Sequence, residues 1–71
     1  MVNVGSKIKL WRASRGINQK QMAALTGFSL RALQGWERGE TSPSLDAVVA
    51  LALAMDVTAD WLLGLDEDQK S

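Results

Sequence analysis

The sequence predicts an all-α fold, a compact domain of five short helices. Apolar residues recur at helical spacing along most of the 71 residues, and no segment alternates apolar and polar residues as a half-buried strand would. The segments between the helical stretches are short, as in compact helical domains. The length allows one domain, which we place at residues 1–65, followed by a polar tail, 66–71, that we expect to be disordered.

Capping residues and glycines mark the helix boundaries. A side chain of the type that caps a helix N-terminus stands before each helix from the second onward. The predicted caps are Asn18, Ser29, Ser42 or Ser44, and Thr58. The first three helices should each end at or near a glycine, the usual residue just past a helix end. These glycines are Gly16, Gly27 and Gly39.

Helix four, LDAVVALALAM, is apolar nearly all round. A helix without a polar face is buried on most sides or meets another molecule. We assign one face of it to the core: Leu45, Val48, Leu51, Ala52 and Met55. The alanines at 47, 50 and 54 are placed on the opposite face.

The composition argues against an enzyme. The chain has no histidine and no cysteine, which removes the usual general base, the commonest metal ligand and any disulfide. The acidic cluster at 66–68 lacks the spacing of a calcium loop. We therefore expect no catalytic residue, no metal and no cofactor. The longest apolar run, 47–55, is too short to cross a bilayer, and we expect a cytoplasmic protein with no membrane partner.

The net charge of zero conceals an asymmetry. Residues 1–39 carry seven basic residues and one acidic residue, a net charge of +6, while residues 40–71 carry a net charge of −6. A basic half suggests a polyanionic partner for that half. The charge alone is equally compatible with a dipolar surface that has no such partner.

The second and third helices carry a motif over residues 19–38. Ala23 allows the two helices to cross closely, and Gly27 permits the left-handed backbone of a tight turn. Four apolar residues should fill the wedge between them: Met22, Phe28, Leu33 and Trp36. This pattern resembles the helix-turn-helix of the phage Cro and repressor type, the XRE family. The likeness extends from about residue 8 to 65, through IKLWRASRGINQKQMA, WERGETSPSLDAVVALALAMDV and DWLLG.

The resemblance implies a lambda-repressor-like DNA-binding domain with the motif at helices two and three, but two positions depart from the family pattern. Thr26 stands where the family has an aliphatic residue, and we expect Leu25 to supply that packing. Glu40 stands where phage repressors often have lysine, which weakens the expected grip on phosphate.

The third helix has two faces. At about 100° per residue, Gln34, Gly35 and Arg38 lie within roughly 60° of Arg31, while the core residues point away. The second helix of this motif enters the major groove of DNA. By resemblance, Leu30, Arg31 and Gly35 occupy base-contacting positions, and Ser29 stands at the helix start.

Each of these side chains has a chemical role to weigh. The Arg31 guanidinium can donate to guanine O6 and N7 together, although it could also be an exposed surface arginine. Leu30 could contact a thymine methyl group, or it could only cover the edge of the core. Gln34 could pair with adenine or be solvated. Gly35 has no side chain to contact a base, so either it allows close approach of the backbone to DNA, which we favour, or this position carries no readout.

Phosphate contacts are expected from the start of helix two. The free N–H groups there form an anion site, with Gln19 beside them. Asn18, Lys20 and Arg38 are further candidates, and for Lys20 a solvated surface position is the alternative. By resemblance, Arg12 and Glu37 form a structural ion pair between helices one and three.

The function implied is a sequence-specific regulator of transcription, a repressor, that binds double-stranded DNA. The resemblance also implies a bacterial or phage origin and a location at the nucleoid. Because one recognition helix buries too little surface to be highly selective, we expect a homodimer on a palindromic operator. The dimerisation candidates are Ala54, Leu62 and Leu65. The alternative is an antitoxin or accessory protein that uses the same fold to bind a protein partner through its acidic half and helix four.

Overall fold

The computed structural model describes residues 4–65, and within this range the chain forms helices and no strand. The helices are α1 Val4–Ser14, α2 Gln19–Thr26, α3 Leu30–Arg38, α4 Leu45–Met55 and α5 Ala59–Leu62. The predicted all-α fold with five helices is confirmed. The tail predicted to be disordered, 66–71, lies outside the described residues.

Side-chain caps begin α2, α3, α4 and α5. In each, a side-chain oxygen accepts a hydrogen bond from the backbone N–H three residues further on; the caps are Asn18, Ser29, Ser44 and Thr58. Ser44, rather than Ser42, caps α4. At α2 the arrangement is reciprocal, because the Asn18 N–H donates to Gln21 Oε1 and the Gln21 N–H donates to Asn18 Oδ1, both at 2.8 Å. Each cap satisfies a donor that the first turn of a helix cannot pair internally.

A three-residue turn, 27–29, joins α2 to α3. It begins at Gly27, whose φ of 82° lies in the left-handed region that glycine adopts at little cost. The Gly27 N–H donates to the Ala23 carbonyl at 2.9 Å, which closes the last turn of α2. The turn is short, so α3 is fixed in orientation against α2.

The N-terminal part of α1 packs directly on the C-terminal part of α3. A Cβ built on the buried Gly5 would lie 1.7 Å from the Trp36 carbonyl oxygen and 2.9 Å from the Glu37 Cα. Only a residue without a side chain allows this contact between backbones. Gly5 therefore sets how closely α1 can hold α3.

The core lies between the helices. Among residues 4–65 it is formed by eleven apolar residues: Ile8, Trp11, Met22, Leu33, Trp36, Ala47, Val48, Leu51, Ala52, Met55 and Leu62. Phe28 packs edge-on against Trp36, with ring centroids 5.0 Å apart, in the wedge between α2 and α3. Trp61 is only partly buried, and Lys7 Nζ lies 4.9 Å from its ring centroid. Two of the three tryptophans, Trp11 and Trp36, thus belong to the buried core, and Trp61 packs against it.

The predicted core face of α4 is wrong at two positions. Leu45 is 73% exposed, while Ala47 is 9% exposed and belongs to the core. The helix is rotated so that Ala47, Val48 and Leu51 face inward. Leu45, Val49 and Leu53 then form an exposed stripe on the outer side, at 73%, 47% and 78%.

The predicted substitute for Thr26 is also wrong. Leu25 is 50% exposed and does not fill the position that an aliphatic residue would occupy. The Thr26 hydroxyl instead donates to the Met22 carbonyl at 2.9 Å and accepts from the Phe28 N–H at 3.3 Å. A polar residue is accommodated there because its hydroxyl bonds to the backbone on both sides of the turn.

Candidate nucleic-acid interface

The outer face of α3 exposes two arginines. Arg31 and Arg38 are exposed, whereas Leu33 and Trp36 on the opposite side are 0% and 8% exposed. Gln34 is partly buried and lies beside the two arginines. One side of the helix thus anchors it to the core, while the other presents two guanidinium groups outward.

The start of α3 presents fewer free polar groups than its outer face. Ser29 is exposed, and its hydroxyl accepts from the Ala32 N–H at 3.1 Å as the helix cap. The hydroxyl hydrogen remains available to donate. Leu30 is partly buried, between the core edge and the outer face.

Gly35 lies against the loop that follows α3. A Cβ at this position would lie 2.9 Å from Thr41 Oγ1. The Gly35 carbonyl accepts from the Glu40 N–H at 3.0 Å and from the Thr41 N–H at 3.4 Å. The glycine thus makes room for the returning chain, a structural reason that the sequence did not suggest.

Arg12 and Glu37 form a two-point ion pair between α1 and α3. Arg12 Nε donates to Glu37 Oε2 and Arg12 Nη2 donates to Glu37 Oε1, both at 3.0 Å. Arg12 Nη1 also donates to the Ile17 carbonyl at 3.1 Å. The side chains are 16% and 4% exposed, and the hydrogen bonds to Glu37 raise the pKa of Arg12. Glu37 is therefore turned inward and does not belong to the outer face.

Two glutamines extend this pair toward the outer face of α3. Gln19 Nε2 donates to Glu37 Oε1 at 3.1 Å, and Gln34 Nε2 donates to Gln19 Oε1 at 3.5 Å. The spacing of the sequence did not predict these contacts. A signal was present, since Gln34 and Glu37 are three residues apart on one helix and so lie on neighbouring parts of its surface.

The four predicted phosphate-binding residues differ in their exposure and in the contacts that their side chains already make. Asn18 is exposed, but its side-chain oxygen Oδ1 already accepts the capping hydrogen bond from the Gln21 N–H. Gln19 is partly buried in the chain of contacts just described, and Lys20 is exposed. Arg38 Nη1 lies 3.9 Å from Glu40 Oε2, and both side chains are more than 60% exposed. A pair so exposed is weak and leaves Arg38 able to bind another anion.

One of the three dimerisation candidates is wrong. Leu62 is 0% exposed and belongs to the core, so its side chain cannot contact a partner. Ala54 is partly buried, and Leu65 is 43% exposed. The apolar residues that α4 does expose are Leu45, Val49 and Leu53.

The charge asymmetry follows the helices. Within the described range, residues 4–39, which hold α1, α2 and α3, carry a net charge of +6, and residues 40–65 carry −4. In the part of the chain that the structure covers, no three acidic side chains come together as a metal site would require. No helix in that same part is long and apolar enough to span a membrane.

Two crossed helices joined by a tight turn, with the second exposing a polar face, define the helix-turn-helix class of protein. Residues 8–62 match the family model described as helix-turn-helix. The chain belongs to this helix-turn-helix family, of the XRE type that its sequence resembles.

Several repressors and regulators are similar to this chain. Repressor protein C2 of Salmonella phage P22 is 33% identical over 66 residues, which are 93% of this chain and 31% of that protein. The transcriptional regulator ImmR of Bacillus subtilis (strain 168) is 30% identical over 69 residues, which are 97% of this chain and 54% of that protein. The chain thus spans about a third to a half of these curated relatives.

A solved structure shares the fold. The crystal structure of the P22 c2 repressor in complex with synthetic operator 9T, in the presence of Tl+, aligns with a TM-score of 0.78 at 31% identity. The alignment covers 92% of this chain and 98% of that one.

Proposed function

We propose that this chain is the DNA-binding domain of a transcriptional regulator, a repressor, and that α3 enters the major groove of double-stranded DNA. The observation that carries the proposal is the outer face of α3, where Arg31 and Arg38 are exposed while Leu33 and Trp36 anchor the helix. An α-helix with this division of faces fits the width of the major groove. The similarity to repressors and regulators supports the same function.

Base readout is assigned to residues 29–35. Arg31 donates to guanine O6 and N7, and Leu30 contacts a thymine methyl group. Ser29 donates its hydroxyl hydrogen, and Gln34 contacts a base through its amide. Gly35, which is partly buried against Thr41, contributes through its backbone.

Phosphate contacts position the domain without selecting sequence. They are assigned to the N-terminus of α2, where Asn18, Gln19 and Lys20 stand beside free N–H groups, and to Arg38 at the end of α3. Glu40 repels phosphate beside Arg38, so we expect the grip at this end to be weaker than a lysine there would give.

A homodimer on a palindromic operator is part of the proposal. Two half-sites read in successive major grooves lie about 34–36 Å apart. The domain measures 35 × 24 × 19 Å, so one protomer fits each turn of the duplex. Leu65 and Ala54, with the exposed stripe of α4, supply apolar surface for the second copy. Sedimentation of saturated complexes should find two protomers per operator, and a single protomer would contradict this part.

The central test is Arg31→Ala. Duplexes bound by the wild-type chain are first selected from a random pool, and affinities are then measured on the selected operator and on an unrelated duplex. Loss of a two-point guanine contact should weaken operator binding by roughly 5- to 150-fold and leave the unrelated duplex nearly unchanged. Lys20→Ala is the matched control, because a phosphate contact should weaken both duplexes alike. An equal loss on both duplexes in Arg31→Ala would make Arg31 a phosphate contact.

Salt dependence tests the proposal as a whole. With Lys20 and Arg38 on phosphates in both protomers, the slope of log affinity against log salt should be about −4. A chain that only binds a protein partner would bind no duplex even at low salt.

A further inference from the structure

We propose that Gln34 presents its side-chain carbonyl oxygen to the major groove. It therefore selects a base with an exocyclic amino group and prefers adenine to cytosine. We further propose that Gln19 is the positioning residue that fixes this orientation. The inference rests on the proposed function, because it requires α3 to lie in the groove.

The orientation starts at Glu37. Its two carboxylate oxygens accept from Arg12 Nε and Nη2 at 3.0 Å, and its side chain is only 4% exposed. An ionised carboxylate has no hydrogen to donate. Any neighbour that bonds to Glu37 must therefore do so through a donor.

Gln19 is that neighbour. Since Glu37 only accepts, the Gln19 amide must turn its nitrogen toward the carboxylate, as the 3.1 Å contact of Gln19 Nε2 with Glu37 Oε1 shows. The Gln19 oxygen then lies at the other end of the same planar amide group, where it faces Gln34. A carbonyl oxygen only accepts, so Gln34 has to meet it with its own nitrogen, at 3.5 Å.

The buried ion pair thus fixes which atom of Gln19 donates and which accepts, and Gln19 in turn fixes which atom of Gln34 donates on the surface of α3. This leaves Gln34 Oε1 as the amide atom that is not bonded to Gln19, free to turn toward the side of α3 that carries Arg31. Gln34 lies between the exposed arginines and Glu37 around the helix, within about 60° of Arg31. Its oxygen can therefore reach a base edge while its nitrogen stays bonded to Gln19.

An outward oxygen discriminates among the bases. Adenine N6 and cytosine N4 donate in the major groove, whereas guanine O6 and thymine O4 accept and would face a second acceptor. The Gln34 amide nitrogen carries two hydrogens, one for Gln19 and one for adenine N7. Adenine can therefore be bound at two points and cytosine at one, which sets the order of preference.

The test uses the full chain and the selected operator. Gln34→Ala first identifies the base pair whose preference depends on this residue. Four duplexes that differ only at that pair are then measured with the wild-type chain, Gln19→Ala and Lys20→Ala. The wild type should prefer adenine over guanine by roughly 5- to 150-fold. Gln19→Ala should reduce this ratio at least about threefold although Gln34 is still present, because the amide is then free to rotate.

The control separates orientation from phosphate binding. Gln19 also stands at the N-terminus of α2, so its loss weakens binding to all duplexes. Lys20→Ala should produce that uniform loss without changing the ratio, and the preference at the base assigned to Arg31 should stay unchanged in both variants. Circular dichroism verifies that both variants fold. In a second variant, Gln34→Lys, the side chain only donates, so the preference should change to guanine.

Three results would overturn the inference: a wild-type preference for guanine or thymine at this pair, an unchanged ratio in Gln19→Ala, or an unchanged preference in Gln34→Lys. A wild-type chain that selects no duplex overturns the proposed function, and this inference with it. Selective binding with an unchanged ratio in Gln19→Ala overturns the inference alone.

Discussion

Replacing Glu37 with alanine should strongly destabilise the domain. Glu37 accepts three hydrogen bonds, two from Arg12 and one from Gln19, at 3.0–3.1 Å. In Glu37→Ala the Arg12 guanidinium stays largely buried without a counterion, and the Gln19 amide loses its acceptor. Breaking one partner of a buried ion pair costs about 3–5 kcal/mol, mostly because the remaining charge is not solvated.

The position of Arg12 places the expected loss at the lower end of that range. Its side chain keeps 16% exposure, and Nη1 still donates to the Ile17 carbonyl at 3.1 Å. We therefore expect a loss of about 3 kcal/mol. A chain of 71 residues has a free energy of unfolding of about 4–10 kcal/mol. The variant should lose roughly 30% or more of it, with a fall in Tm of about 12–24 °C.

Thermal and urea unfolding followed by far-ultraviolet circular dichroism measures this loss. Glu40→Ala is the matched control, because the Arg38–Glu40 pair is exposed and 3.9 Å apart, and its removal should change stability by less than about 0.5 kcal/mol. The double variant Arg12→Met with Glu37→Leu should be more stable than Glu37→Ala, since no buried charge is left unpaired. If Glu37→Ala unfolds at the same temperature as Glu40→Ala, the pair does not hold α1 to α3.

Three further substitutions test local features by the same unfolding measurements. Gly5→Ala should cost about 3 kcal/mol, the upper end of the usual range for overpacking, because its Cβ would lie 1.7 Å from the Trp36 carbonyl oxygen and the backbone must move. Lys9→Ala, on the exposed side of α1, is the control, and equal stability of the two variants would refute the close contact. Asn18→Ala should cost about 1 kcal/mol through loss of the α2 cap, and no loss would show that water replaces it. Gly27→Ala should cost about 1–2 kcal/mol, from backbone strain alone since the position is open, and a stabilised variant would contradict the left-handed φ of 82°.

Local chemistry made the helix boundaries predictable from the sequence. A capping side chain acts on backbone within three residues of itself, and a glycine with positive φ ends a helix through its own conformation. Asn18, Ser29 and Thr58 therefore cap the helices at which the sequence placed them. The wedge of Met22, Phe28, Leu33 and Trp36 was predictable for a similar reason, since a tight turn forces the two helices together.

The orientation of α4 was not predictable in this way. Nearly all of its residues are apolar, so helical spacing does not distinguish one face from another. Packing selects the face on which the small Ala47 and Ala52 let neighbouring helices approach, and Leu45 is turned outward. The same packing buries Leu62, which we expected from the sequence to contact a second copy of the chain.

Contacts between polar side chains that are far apart in the sequence could not be predicted either. Gln34 and Gln19 are fifteen residues apart, and their contact depends on the angle at which α3 crosses α2. Gly35 was expected to allow close approach of DNA; that a Cβ there would also meet Thr41 depends on a loop whose path the sequence did not specify. Helical geometry was enough to assign residues to the outer face of α3. The hydrogen bonds that orient their side chains depend on the tertiary structure and could not be assigned from the sequence.

The hydrogen-bonded series from Arg12 through Glu37 and Gln19 to Gln34 has a consequence for protein engineering. Grafting only the outward residues of α3 onto a related scaffold would move the glutamine without the groups that orient it. A faithful transplant of this contact surface has to carry a residue of α2 and one of α1 as well. The smallest exchangeable unit is therefore a patch drawn from three helices.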